Sequence, residues 1–271
     1  MVGQLDRARA LLQIPLRRLP YPRILFTVDS SQPRFERALR PILQVFADHR
    51  IPVTFFVCNE TLSGEENHST VQEIFAFARE HGLCLEIASH GIRHRDLSKE
   101  EPEATIEMIE QSVRAFEGKG PRIQGFRAPF LSIENRYRHI LGSKEWKDCC
   151  LRYDSSICFE SNLLTSLFHV LARRKCPHKI GSVWELPISS LDDYHMMSKM
   201  GRSERFVFLY WAAEMNVWIR LINYFMLTFH PHTIGRNLLL LDRILRYCRK
   251  RFPKDSFRTC IQLVEELDTL S

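Results

Sequence analysis

Apolar positions in this chain fall into two alternating kinds of segment. Short, nearly continuous runs rich in β-branched and aromatic residues occur at Arg23–Asp29, Pro52–Cys58, Leu83–Ala88, Ile123–Arg127, Leu151–Asp154, Val183–Pro187 and Tyr224–Phe229. Their length and composition predict buried strands. Between them lie longer stretches whose apolar residues recur every three or four positions. Pro33–His49 is the clearest, with Phe35, Leu39, Ile42, Leu43 and Phe46 on one helical face. Thr70–His81 is a second predicted helix, with Gly82 placed as its cap. Glu100–Glu117 is a third, ended by Gly118 and Gly120, and Arg205–Asn223 and Leu238–Arg251 follow. The end of the chain predicts a short strand near Arg258–Cys260 and a closing helix.

Strands without polar alternation, separated by helices, belong to a parallel sheet covered on both faces. Seven or eight such units in 271 residues predict a (β/α) barrel, with a doubly wound open sheet as the alternative. No repeat or linker divides the chain, so the expected organisation is a basic amphipathic segment over 1–22 and one barrel domain over 23–271. Apolar residues make up 45% and charged residues 26%, the balance of an ordinary globular protein. The longest apolar stretch, Phe206–Phe229, is interrupted by Glu214 and Arg220, so a spanning helix is not expected. The start of the chain lacks the apolar core and small-residue cleavage site of a secretory signal. Eight cysteines show no Cys-x-x-Cys spacing, and Cys58 and Cys84 lie within strand-like runs. They are expected to be reduced, buried thiols of a cytoplasmic protein. The net charge of +6 comes without a Lys/Arg block interleaved with aromatics, so nucleic acid is not an expected partner. The Leu-rich basic stretch Leu5–Leu19 predicts a peripheral membrane contact.

In a parallel barrel the chemistry collects where strands end and βα loops begin. Asp29 ends the first strand, His90 and His94 follow the third, Arg127 ends the fourth, Asp154 the fifth, and His230 follows the seventh. Six reactive side chains are thereby directed to one mouth. The two histidines, four apart in Ser89-His90-Gly91-Ile92-Arg93-His94, can grip one metal ion if a tight loop presents both rings on one side. Asp154 has a plain alternative as a local cap beside Ser155 and Ser156. Asp192-Asp193 reads either as rim residues touching a substrate or as solvated turn acids. The aromatic run Phe206, Phe208, Tyr210, Trp211 and Trp218 reads as a packed helix face, with a groove for a lipid-linked or aromatic substrate as its second reading.

These motifs, in this order, resemble the polysaccharide deacetylase family, the NodB-homology or carbohydrate esterase 4 group. Thr27-Val28-Asp29-Ser30, His90 with His94, Arg127-Ala128-Pro129-Phe130, Tyr153-Asp154-Ser155-Ser156 and Leu227-Thr228-Phe229-His230-Pro231 carry the resemblance, which spans roughly Arg23 to Arg236. It implies a distorted (β/α) barrel of about seven parallel strands and a hydrolase of C–N (amide) bonds that removes an acetyl group from an N-acetylated sugar. It also implies a divalent metal, zinc above others, on His90 and His94. By the same resemblance Asp29 is the general base, Arg127 holds Asp29 ionised and oriented, and His230 is the general acid. Asp154 would support Arg127 or His230, and the backbone N–H near Phe130 would help hold the oxyanion.

One departure stands out. The family's metal-binding carboxylate should follow the catalytic aspartate, but Ser30 stands there, and Ser31 stands where a related branch carries it. Three outcomes are open: Asp29 ligates the metal itself; two histidines hold it with water or Ser30; or hydrolysis has been lost. The lead expectation is a deacetylase of a lipid- or nucleotide-linked glycan intermediate. The alternatives are a hydrolase of a small cyclic amide and a catalytically impaired carbohydrate-binding relative.

Overall fold

The computed structural model describes residues 19–30, 35–58, 65–116, 122–132, 151–157 and 176–270. Strand β1 (Arg23–Ser30) opens a mixed sheet. It is followed by α1 (Phe35–His49), β2 (Val53–Val57), α2 (Glu65–Glu80), β3 (Leu85–Ser89), α3 (Pro102–Arg114), β4 (Gly125–Phe126) and β5 (Tyr153–Asp154). A hairpin of β6 (His178–Ile180) and β7 (Val183–Glu185) leads to α4 (Glu204–Ile222) and β8 (Tyr224–Phe229). The chain ends with the single turn α5 (Pro231–Ile234), α6 (Leu238–Arg251), β9 (Phe257–Arg258) and α7 (Cys260–Leu270).

The sheet order is β6-β7-β5-β4-β3-β2-β1-β8. Seven consecutive members, β7 through β8, are mutually parallel, and β6 alone is antiparallel. The sheet curls back on itself through the segment after β7. Leu186 N–H donates to Asp154 O at 2.8 Å, Ile188 N–H to Ile157 O at 2.9 Å, and Ser189 N–H to Met226 O of β8 at 3.0 Å. This is the expected distorted barrel rather than an open doubly wound sheet.

Alternation along the strands sorts the side chains into two layers. Phe26 of β1 packs outward against Phe46 of α1, Phe229 and Phe257. Thr27 and Asp29 face the barrel axis, where Arg127 meets both. At the amino-terminal ends of the strands, α7 closes the barrel. Its first N–H groups, on Cys260 and Ile261, bond Thr54 Oγ1 at 3.0 Å and Glu86 Oε2 at 2.9 Å. A buried carboxylate at a helix start is favourable, and Glu86 also accepts from Tyr153 Oη at 2.6 Å. The opposite end stays open.

Most predicted elements are recovered; Tyr224–Phe229 and Leu238–Arg251 match residue for residue. Gly82, at φ +59°, follows α2 where a cap was expected. The predicted helix ends at 33–34 and the glycine stop at 118–120 lie outside the described residues, as do Ser31 and residues 1–18. Three departures have physical reasons. The β6–β7 hairpin went unforeseen because His178-Lys179-Ile180 is short and half exposed. The predicted fourth and fifth strands shrink to two residues each, since their pairing with neighbouring strands lasts only one or two residues before the chain leaves the ladder. Cys58 is buried as expected, but Cys84 lies just before β3 and is exposed.

Gly125 of β4 is where the barrel is tightest. A Cβ there would collide with the ring of Tyr153, and the hydroxyl bond to Glu86 prevents that ring from moving aside. Gly125→Ala should therefore destabilise the protein by about 1–3 kcal/mol, the usual cost of overpacking a fixed core. Denaturant midpoints of the two proteins measure it.

Candidate active site

The open end of the barrel holds a cavity of about 540 Å³. Asp29, His90, His94, Ala128, Phe130, Leu131, Ile188, Asp192, Tyr194, His195, Lys199, Thr228, His230 and His232 line it. Of these, the sequence named Asp29, His90, His94 and His230 as site residues and offered Asp192 as a rim or turn acid.

Arg127 is the centre beneath this cavity. It follows β4, where its N–H donates to Ser89 O at 2.9 Å and extends the ladder. Its side chain then runs into the barrel and is fully buried. Nη1 donates to Asp29 Oδ1 at 2.6 Å, to Thr27 Oγ1 at 2.9 Å and to Thr228 Oγ1 at 3.2 Å. Nε and Nη2 donate to the carbonyl and hydroxyl of Ser155 at 3.0 and 2.8 Å, and the guanidinium lies over the Phe56 ring at 3.9 Å. Asp29 is thus oriented by one oxygen, with its carboxyl group at the cavity floor.

The loop carrying the two histidines is fixed at both ends. His90 N–H donates to Val57 O at 2.9 Å, and Gly91 takes φ +85° beneath Pro129, a turn that any Cβ would strain. Asp96 then caps the short helix Leu97–Lys99, and Leu97 N–H bonds Ser132 Oγ at 3.0 Å. The two imidazole rings lie 5.4 Å apart, and the His94 ring rests against Phe130 at 4.3 Å. His90 Nδ1 pairs with Arg127 O at 2.9 Å. That bond makes Nδ1 the donor and leaves Nε2 with its lone pair, the state of a metal ligand. Burial pushes His90 down to about 4, with the charges of His94 and Arg127 adding to it against Asp29. Its imidazole is therefore neutral at neutral pH.

These donors fit a divalent ion in kind: two imidazoles and one carboxylate in one cavity. Ser30 does not join them. It lies on the face of β1 opposite Asp29, is absent from the cavity wall, and its Oγ is buried without a hydrogen-bond partner. Among the described residues, the one group of three potential ligands with atoms within 4.8 Å of one another is Asp192, Asp193 and His230.

That group is better read as a proton-holding device. His230 Nδ1 meets Asp193 Oδ1 at 2.8 Å, and the His230 N–H bonds both carboxylate oxygens at 3.0 Å. Burial alone would lower His230. The bond to Asp193 and the charges of Asp193, Asp192 and Asp29 outweigh it, and the imidazole is raised to about 9. Burial also raises Asp193 while His230 pulls it back, so at neutral pH the pair holds its proton on the imidazole. An ion bound there would first have to displace that proton. Asp192 is engaged separately by His195, accepting its backbone N–H at 2.7 Å and Nδ1 at 2.9 Å.

Asp154 stands apart from the role expected of it. Its carboxylate accepts from Ser156 Oγ at 2.6 Å and Ser156 N–H at 3.3 Å, the local cap that was its alternative. Burial raises it, and raises its neighbour Glu185 strongly. The partner of His230 is Asp193, which the sequence offered only as a rim or turn acid. Its one signal was a doublet of acids shortly after β7. Tyr194, His195 and Lys199 were not foreseen at all. They ride on a π-helical turn, Tyr194–Lys199, whose first N–H is capped by Asp193 at 2.9 Å. Such turns are rare and cluster at functional sites. Phe130, at φ +57°, lines the cavity and is 63% exposed.

Known proteins resemble this chain in sequence profile and in fold. The sequence profile of the polysaccharide deacetylase family matches residues 17–147. A chitooligosaccharide deacetylase of Rhizobium leguminosarum bv. phaseoli is 31% identical over 100 residues, which is 37% of this chain and 40% of that protein; the match thus spans less than half the length of the relative. A probable polysaccharide deacetylase of Pseudomonas aeruginosa PAO1 superposes with a TM-score of 0.61 at 16% identity, covering 84% of this chain and 85% of that one. A Puue allantoinase superposes at 0.65 and 16% identity, covering 93% and 92%. At such identities the likeness is one of fold.

The His230–Asp193 pair carries a pH signature. His230 titrates near 9 in the fold against 6.5 ordinarily, so its stabilising contribution is complete below pH 6.5 and is lost as pH rises through 9. In Asp193→Asn, the His230 ring should titrate near or below 6.5 by NMR. The stability excess of the native protein over that variant should shrink between pH 6.5 and 9.

Proposed function

We propose that this chain, whose residues 17–147 match the sequence profile of the polysaccharide deacetylase family, is a hydrolase that removes an acetyl group from the nitrogen of an N-acetylated sugar. The observation that carries the reading is a base and an acid facing one cavity, each with its partner buried behind it. Asp29 rests on Arg127 and His230 rests on Asp193. Asp29 takes a proton from the attacking water, and the oxygen adds to the acetamido carbonyl. His230, protonated at neutral pH, gives its proton to the sugar nitrogen as the C–N bond breaks, and acetate and the free amine leave. Arg127 keeps the base in place through both steps, and the backbone by Phe130 lies beside the developing oxyanion.

His90, His94 and Asp29 would hold a divalent ion, zinc by their donor chemistry, which when bound supplies polarisation of the carbonyl and a more acidic water. Ser30 has no part in this reading. The cavity is of the size usual for small-molecule sites, enough for a sugar and part of what it is attached to. A lipid- or nucleotide-linked glycan intermediate fits the expectation of a substrate met inside the cell.

Acetate release from N-acetylglucosamine oligomers, with metal content measured on the same preparation, tests the reading. His230→Ala should lower kcat by about 10²–10⁴, the share of a general acid. His90→Ala with His94→Ala should abolish both metal binding and turnover. Turnover of a small cyclic amide in place of the sugar would redirect the assignment, and sugar binding without metal or acetate would make the chain a binding relative. Ser30→Ala should leave metal affinity within about twofold and be neutral or stabilising by about 1 kcal/mol, since it removes a buried hydroxyl that has no partner.

A further inference from the structure

Helix α4 buries one face against the barrel and leaves the other bare. Trp211 and Trp218 point into the core, the first donating its indole N–H to Leu191 O at 2.8 Å. On the opposite face Phe206, Leu209, Val217 and Leu221 are 42–55% exposed, with the exposed Ala213 between them. Their spacing of three and four residues puts them in one line, about 22 Å long at 1.5 Å per residue. Single exposed apolar side chains are ordinary, but a continuous line of them marks a contact surface.

The charges beside this line indicate its partner. Arg202 and Arg205 flank one end and Arg220 the other, all exposed. Arg202 lies over the Phe206 ring at 5.3 Å. No ion pair among the described residues includes any of the three. The acids of the helix are the exposed Glu204 in its first turn and the half-buried Glu214. The chain also enters the fold here: Leu19 N–H donates to Ile222 O at 3.2 Å, and Leu19 O accepts from Asn223 Nδ2 at 2.7 Å. The sequence just before it carries Arg7, Arg9, Arg17 and Arg18 against the single acid Asp6.

We propose that the outer face of α4 docks on an anionic lipid surface. An apolar line bordered by unpaired arginines suits a helix that lies in the plane of the interface, and no described helix is long and apolar enough to cross a membrane. The helix starts shortly after the π-helical turn that lines the cavity, so docking holds the cavity rim beside the bilayer. The proposal stands whatever chemistry the cavity performs.

Co-sedimentation of the full chain with vesicles tests it, comparing pure phosphatidylcholine with a mixture containing about one third phosphatidylglycerol. The native protein should bind the anionic vesicles only, and less as salt increases. Leu209→Glu with Val217→Glu should weaken binding at least about tenfold, as should Arg205→Glu with Arg220→Glu, at roughly 1 kcal/mol per charge removed near the surface and more on reversal. All these positions are exposed, and unchanged circular dichroism and Tm should confirm folding. Equal binding by native protein and Leu209→Glu/Val217→Glu, or no binding to either vesicle, overturns the proposal. So does a native dimer in sedimentation velocity that the same variant dissolves, since a second copy would then cover the stripe.

Discussion

The buried pair of Arg127 and Asp29 is the constraint around which the barrel is arranged. A guanidinium taken out of water costs several kcal/mol unless its donors are met and its charge is balanced. Here the requirement recruits Thr27 and Asp29 from β1, Thr228 from β8, Ser155 from beyond β5 and the face of Phe56 from β2. Removing either charge would leave the other stranded, a loss of about 3–5 kcal/mol. The polar residues Thr27, Asp29 and Thr228, which interrupt otherwise apolar strands, are explained by this one side chain. Register follows from it as well: Thr27 stands opposite both Thr54 and Thr228, and a one-residue slip would turn its hydroxyl away from Arg127. The same residue also orients the loop above. Its carbonyl fixes the tautomer of His90 while its side chain fixes Asp29, so the base and one metal-ligand candidate are referenced to a single point.

The cavity is then organised by two inverted pairs. On one side a buried cation stands behind an anion; on the other the buried Asp193 stands behind the cation His230. The two pairs cancel in charge, which lets four ionised groups share a low-dielectric pocket. The two histidines are separated as well: Asp193 lets His230 hold its proton up to about 9, whereas burial makes His90 give its own up at about 4. Environments that separate the protonation states of chemically identical groups are what acid–base chemistry requires.

Much of this was legible in the chain because each piece has a local signature. The seven parallel strands announce themselves as apolar runs, and the strand ends locate Asp29, His90, His94, Arg127 and His230. What escaped has no local signature. Asp193 belongs to His230 only because the segment after β7 crosses back to β8, a closure made by backbone bonds such as Ser189 to Met226. Asp154 looked equally suited from its place at a strand end, but Ser156 two residues on satisfies it first. The π-helical turn that brings Tyr194, His195 and Lys199 to the rim leaves no periodic trace over six residues.

Ser30 shows how far strand geometry limits what a substitution can mean. Side chains alternate along β1, and the ladder to β2 continues through Ser30, which pairs with Val57. With Asp29 committed to the barrel axis, the next side chain must leave on the other face, where its hydroxyl is buried and finds no partner. A ligand at position 30 could reach the cavity only if the ladder ended one residue sooner. The serine is therefore held in the ladder, and the donors facing the mouth are Asp29, His90 and His94 without it. What remains intact is the part that handles protons: a fixed carboxylate and a protonated imidazole facing each other across one cavity.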